Sequence, residues 1–133
     1  MNTAFAHTVL MVRPAAFGFN EQTAADNAFQ KQGNLLPAAV QAAAVQEFDT
    51  MVETLRKEGI HVLVADDTPH PPKTDAIFPN NWITLMPDGC MDIFPMMAAS
   101  RRPEKRDAIL NLIRHQFAVR DVIDWSEFEA DNF

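Results

Sequence analysis

Apolar positions in this chain come in short runs divided by polar and proline-bearing stretches, and their spacing changes from run to run. Thr8-Val9-Leu10-Met11-Val12-Arg13 is a short apolar run closed by Pro14, and it reads as a buried strand. From 37 to 58 the period becomes helical. Val45, Phe48, Val52 and Leu55 recur at three- and four-residue steps, amid the strong helix formers Ala38, Ala39, Ala42, Ala43 and Ala44. Pro37 suits the first turn and Gly59 the position just past the end. Ile60-His61-Val62-Leu63-Val64 reads as a second buried strand, so this half predicts a strand–helix–strand crossover. Between the first strand and the helix, 15–36 has no steady period. It predicts a long ordered loop with a short helical turn at 21–29, and loops of that length are often functional.

The segment 66–74 carries Pro69, Pro71 and Pro72 and reads as a stiff connector. The stretch 75–97 then organises the rest. Trp82-Ile83-Thr84-Leu85-Met86 and Cys90-Met91-Asp92-Ile93-Phe94 are strand-like arms around Asp88-Gly89, which predicts a hairpin with a two-residue turn. Ile109, Leu112, Ile113 and Phe117 give the stripe of a second helix placed at 101–117, with Pro103 in its first turn. Asp121-Val122-Ile123-Asp124-Trp125 reads as a third strand of the buried type, and 126–133 is an acidic end. The second half thus repeats the architecture of the first without repeating its sequence, and the fold class predicted is α/β.

Composition narrows the function. Length allows one domain, and 47% hydrophobic residues suffice for a packed core. A net charge of -7 and a pI near 4.9 argue against nucleic acid or an anionic membrane as partner. The single cysteine, Cys90, leaves no internal disulfide or cysteine-rich zinc site and suits a cytoplasmic protein. No apolar run reaches the ~20 residues of a membrane span, and the first residues lack signal-peptide features. Ten Phe, two Trp and no Tyr suit a core more than a polar recognition surface.

Four histidines, His7, His61, His70 and His115, show no metal-ligand spacing, and no cofactor is expected. Cys90 opens a strand, where a cysteine is ordinarily inert core; the alternative is a redox or thiol site. Asp75, Asn80 and Asn81 form the best polar cluster. They read equally as turn-capping side chains or as acceptors for a cationic or amide-bearing ligand. Arg101 and Arg102 stand at a helix start, where cations are disfavoured. They can bind a substrate carboxylate through their fork of donors, or pair with Asp92, Glu104 or the acidic end.

Five stretches carry a resemblance: Val9 to Gln30 (VLMVRPAAFGFNEQTAADNAFQ), Asp75 to Thr84 (DAIFPNNWIT), Asp88-Gly89, Phe94-Pro95-Met96 and Arg101 to Arg106 (RRPEKR). They resemble the amidinotransferase-related branch of the guanidine-modifying superfamily. The nearest subgroup is the citrulline-utilisation hydrolases, relatives of arginine deiminase and dimethylarginine dimethylaminohydrolase. The resemblance implies a pentein fold, an α/β propeller of ββαβ-type units with mixed sheets and helices outside. It also implies a cysteine that attacks a guanidino or ureido carbon, a histidine as acid and base, and acidic residues holding the substrate's cationic end. Asp75 matches a substrate-holding aspartate. Asn80 and Asn81 stand where relatives carry an acidic pair or Arg-Asp, which suits a neutral ureido group. Arg101 or Arg102 matches a carboxylate-binding arginine, and Phe19 and Asn20 belong to a loop that can close over the site. Cys90 does not match the nucleophile. The chain is therefore expected to be the N-terminal portion of a single pentein domain, 1–133, with catalytic Cys and His outside it. Its expected partners are a small guanidino or ureido amino acid and either a complementing C-terminal chain or further copies of itself. The alternative is an inert assembly module that self-associates through open sheet edges.

Overall fold

The structure, a computed structural model, describes residues 7–24, 28 and 33–131. Strand β1 (Thr8–Arg13) leads through the loop to helix α1 (Pro37–Lys57) and returns as β2 (His61–Asp66), which pairs with β1 in parallel from Thr8↔His61 to Arg13↔Asp66. Helix α1 starts at Pro37, whose missing N–H costs nothing in a first turn. It ends as its sequence implies. Gly59 adopts φ 82°, its N–H bonds the carbonyl of Arg56, and the N–H of Ile60 bonds that of Leu55.

A second sheet is mixed. Strands β3 (Ile83–Leu85) and β4 (Cys90–Ile93) are antiparallel; helix α2 (Asp107–Gln116) then carries the chain to β5 (Asp121–Asp124), parallel to β4. The molecule is α/β and contains two parallel strand–helix–strand units, β1–α1–β2 and β4–α2–β5, joined by the β3–β4 hairpin.

The β1–β2 sheet is covered on both faces, and its side chains alternate accordingly. Val9, Met11, Val62 and Val64 face Phe48 and Val52 of α1. Val12, Leu63 and Ala65 join Trp82, Ile83, Met91 and Ile93 of the hairpin and Ile109, Leu110 and Ile113 of α2 in the main core. Trp82, Met91 and Ile113 are fully sealed there.

Three expectations need correction. The hairpin loop has three residues, not two. Met86 bonds Cys90, the Gly89 N–H bonds the Met86 carbonyl, and Gly89 takes φ 91°. Pro87 favours the turn that precedes a left-handed glycine, and so the three-residue form wins. The second helix does not begin at 101: Ala99–Glu104 is a 3-10 turn and α2 starts at Asp107, because Pro103 disfavours α-helical backbone at Arg102 before it and Lys105, at ψ 78°, leaves helical geometry. Strand β5 is exposed at every residue, including Val122 and Ile123, so an apolar composition there does not mean burial within this chain. The acidic end forms a 3-10 turn, Ser126–Asp131. Of the helical turn expected at 21–29, a turn is present at 21–24; most of the remainder lies outside the described residues.

Candidate functional site

Three segments converge on Asp75. The first is the loop after β1. Its amide Gln41 fixes the course: the α1 side chain donates to the Pro14 carbonyl at 2.8 Å and accepts from the Phe17 N–H at 2.6 Å. Asn20 follows, 5% exposed, with Phe19 beside it turned to solvent. Asn20 Oδ1 accepts the Gln22 N–H at 3.1 Å, an Asx turn that shapes this loop. Its Nδ2 donates to Asp75 Oδ2 at 2.7 Å. Thr23 Oγ1 stands 3.5 Å from the same oxygen.

The second segment is the connector from β2, which has a fastening that its sequence conceals. Lys73 is 1% exposed. Its ammonium donates to the carbonyls of Thr68 and Pro71 and to Thr68 Oγ1, and pairs with Asp67 Oδ1 at 3.2 Å. Arg106 holds the same region through Asp67 and the Asp66 carbonyl. The connector is thereby folded around a buried cation, and Asp75 follows two residues later, where the N–H of Phe78 bonds its carbonyl.

The third segment is the 3-10 turn at 99–104. The Ser100 N–H donates to Gln22, and the Ser100 hydroxyl lies 3.4 Å from Asn20 Oδ1. Arg101 lies across Asp75, Asn81 and Glu104. Its Nε and Nη2 donate to the two Glu104 oxygens at 2.8 and 2.9 Å; its Nη1 donates to Asn81 Oδ1 at 2.9 Å. Nε also stands 3.8 Å from Asp75 Oδ2, and Nη2 lies 3.3 Å from the Asp75 carbonyl. Burial pushes the Glu104 carboxyl above its ordinary value; Asp75 and Asp67 add to this, and Arg101 offsets it only in part.

The structure therefore brings Asn20, Asp75, Asn81 and Arg101 together. Asp75 Oδ2 is fully engaged, whereas Oδ1 takes no hydrogen bond from a described residue and keeps some contact with solvent. Asn80 is exposed and its side chain bonds no described residue. Arg102 belongs to a different knot. It donates to the carbonyls of Met96 and Glu129, while the Glu129 carboxylate accepts the Met96 N–H and pairs with Lys105. Both arginines have thus found carboxylates that the sequence offered as alternatives to a substrate, Glu104 and the acidic end.

Cys90 stands apart from this cluster at the hairpin, its N–H bonded to Asp88. Partial burial, then Asp92, Asp88 and Asp121, push its thiol above the ordinary 9.0, which makes it a poor nucleophile at neutral pH. Among the described residues no group of three His, Cys, Asp or Glu side chains is placed to hold a metal ion. None of the described helices is long and apolar enough to cross a membrane.

A family model described as N,N dimethylarginine dimethylhydrolase, eukaryotic, matches residues 13–133. The chain belongs to this family. It is thereby a member of the pentein superfamily to which its motifs pointed, through the dimethylarginine branch. No curated protein matches the chain, and no solved structure does. The match spans all three converging segments. Sequence reading named Glu104 only as an alternative partner for the arginines, and it missed Gln22, Thr23 and Ser100. Glu104 had a signal in its three-residue spacing from Arg101; the other three are short polar residues whose partners lie far along the chain.

Proposed function

We propose that this chain builds the substrate-holding wall of a hydrolase that cleaves a carbon–nitrogen bond, other than a peptide bond, in an arginine- or citrulline-like compound. The observation that carries the reading is the half-engaged Asp75 carboxylate. Three side chains fasten one oxygen at a buried position, and the other is left as an acceptor. A purely structural aspartate would be expected to use both. Family membership supports a guanidino-type substrate. The neutral Asn81, joined to this carboxylate through Arg101, favours an uncharged ureido end group, as in the citrulline-type branch. The reading takes the chain as the N-terminal portion of one pentein domain, with its two strand–helix–strand units as propeller blades. It places the nucleophilic cysteine outside these 133 residues, and the lone Cys90 suits a cytoplasmic setting.

Titration of the purified chain with L-arginine, an N-methylated arginine and L-citrulline, followed by amide NMR, tests this. Shifts should cluster at Asn20, Asp75, Asn81 and Arg101, without turnover, and Asp75→Asn should abolish them. No shift with any ligand, or product formation that Cys90→Ala abolishes, overturns the reading.

A second reading is favoured by β5, whose Val122 and Ile123 are about 40% exposed on a strand that pairs, among the described residues, only with β4. In it the chain is an assembly module whose edge a second copy covers. Sedimentation at twice 14.9 kDa, combined with ligand silence, would select it.

A further inference from the structure

We propose that Glu104 is a positioning residue which, through Arg101, fixes the face that the Asn81 amide presents to the candidate site. The proposal rests on reading Asp75 as the substrate-holding carboxylate. Glu104 is 2% exposed and directs both carboxylate oxygens onto one guanidinium. Such a fork-to-fork pair fixes the guanidinium plane and leaves the acid unable to meet a ligand itself. With Nε and Nη2 held there, Nη1 reaches Asn81 Oδ1 at 2.9 Å.

A guanidinium only donates, so the Asn81 atom that faces it must be the oxygen. The NH2 group is left over. It bonds no described residue, and Asn81 is exposed. One guanidinium therefore touches a carboxylate whose other oxygen, Asp75 Oδ1, is an uncommitted acceptor and an amide whose other atom, Asn81 Nδ2, is an uncommitted donor. That pair complements a planar group that carries both a carbonyl oxygen and N–H donors. A guanidinium, which has only donors, would meet the Asn81 NH2 donor to donor. Without Glu104, Arg101 would be free to turn toward Asp75, and the Asn81 amide would lose the contact that orients it.

Glu104→Gln keeps the side-chain shape and removes the charge. In the NMR titration it should weaken L-citrulline binding about tenfold while changing L-arginine binding much less. Asn81→Asp, a surface change that replaces the donor with an acceptor, should shift the preference toward L-arginine by about tenfold. A readout without ligand is the Asn81 side-chain NH2 resonance. It should move with the ionisation of Glu104, above pH 4.5, in wild type and in an Asp75→Asn background, and should be flat in Glu104→Gln. The other charges around Glu104 are Arg101, Asp75 and Asp67. If the wild type binds at Asp75 but neither variant changes the citrulline-to-arginine ratio, or if the resonance is flat in wild type, this inference fails alone. If the wild type binds neither ligand, the proposed function fails with it.

Discussion

At the scale of single residues, burial separates what the sequence shows from what it hides. Asp75 and Asn81 were legible as candidates because polar side chains at the mouth of an apolar strand need partners, and Arg101 because a cation at a helix start is disfavoured. Lys73 was not, since nothing in a proline-rich connector says that its ammonium is sealed. Its removal should be costly. Lys73→Met would leave Asp67 buried with only the longer Arg106 contact, and should lower unfolding free energy by about 3–5 kcal/mol in urea titration. Glu104 gives a prediction of the opposite sense. Its folded-state pKa is raised, so the folded chain holds this proton more tightly than the unfolded chain does, where the carboxyl titrates near 4.5. The stability it contributes is full below that value and is lost as pH rises through the folded pKa. The urea midpoint of wild type should therefore fall relative to that of Glu104→Gln as pH is raised from about 4 to about 7. Parallel profiles would mean that Glu104 titrates as it does in the unfolded chain.

At the scale of elements, periodicity located almost every strand and helix, and local chemistry set the boundaries. The α1 stripe and its Gly59 end were readable because both are determined within a few residues. The hairpin was readable as a hairpin but not in loop length, because Asp-Gly serves both a two-residue turn and the last two positions of a three-residue one. Pro87 and the position of Gly89 against the chain beyond α2 decide between them. A Cβ on Gly89 would lie 2.8 Å from the Ala118 carbonyl oxygen, and its φ is already in the left-handed region. The Gly89 N–H is held by Met86, and its carbonyl accepts the Arg120 N–H, so the turn also anchors the return into β5. Gly89→Ala should therefore cost about 1–3 kcal/mol in thermal or urea unfolding. It should also loosen β5 before β3, which amide exchange in Asp121–Asp124 against Ile83–Leu85 would resolve. Equal protection at both strands would show that the turn acts on the hairpin alone.

At the scale of the molecule, the parallel units differ in how well they are covered, and this decides what a chain of this composition can do. The β1–β2 sheet has α1 on one face and the main core on the other, so both of its faces are buried. Strand β5 has neither benefit. Val122, Ile123 and Trp125 all lie near 40% exposure, and the Trp125 ring bonds Asp92 through its indole N–H and stacks on Phe128. From the sequence alone β5 looked buried, because an apolar strand carries the same signal whether its cover comes from its own chain or from another polypeptide. Apolar area left at an unpaired edge is where a further chain segment or a second copy binds most favourably. A charge placed there should discriminate between the two covers. Ile123→Lys removes little buried area, so thermal stability of the isolated chain should change by less than about 0.5 kcal/mol. If copies of the chain cover β5, the variant should sediment as a monomer where wild type does not. If another polypeptide covers it, wild type and variant should both be monomers, and only wild type should capture the complementing part of the domain. A variant that self-associates as wild type does would place the contact elsewhere on the molecule.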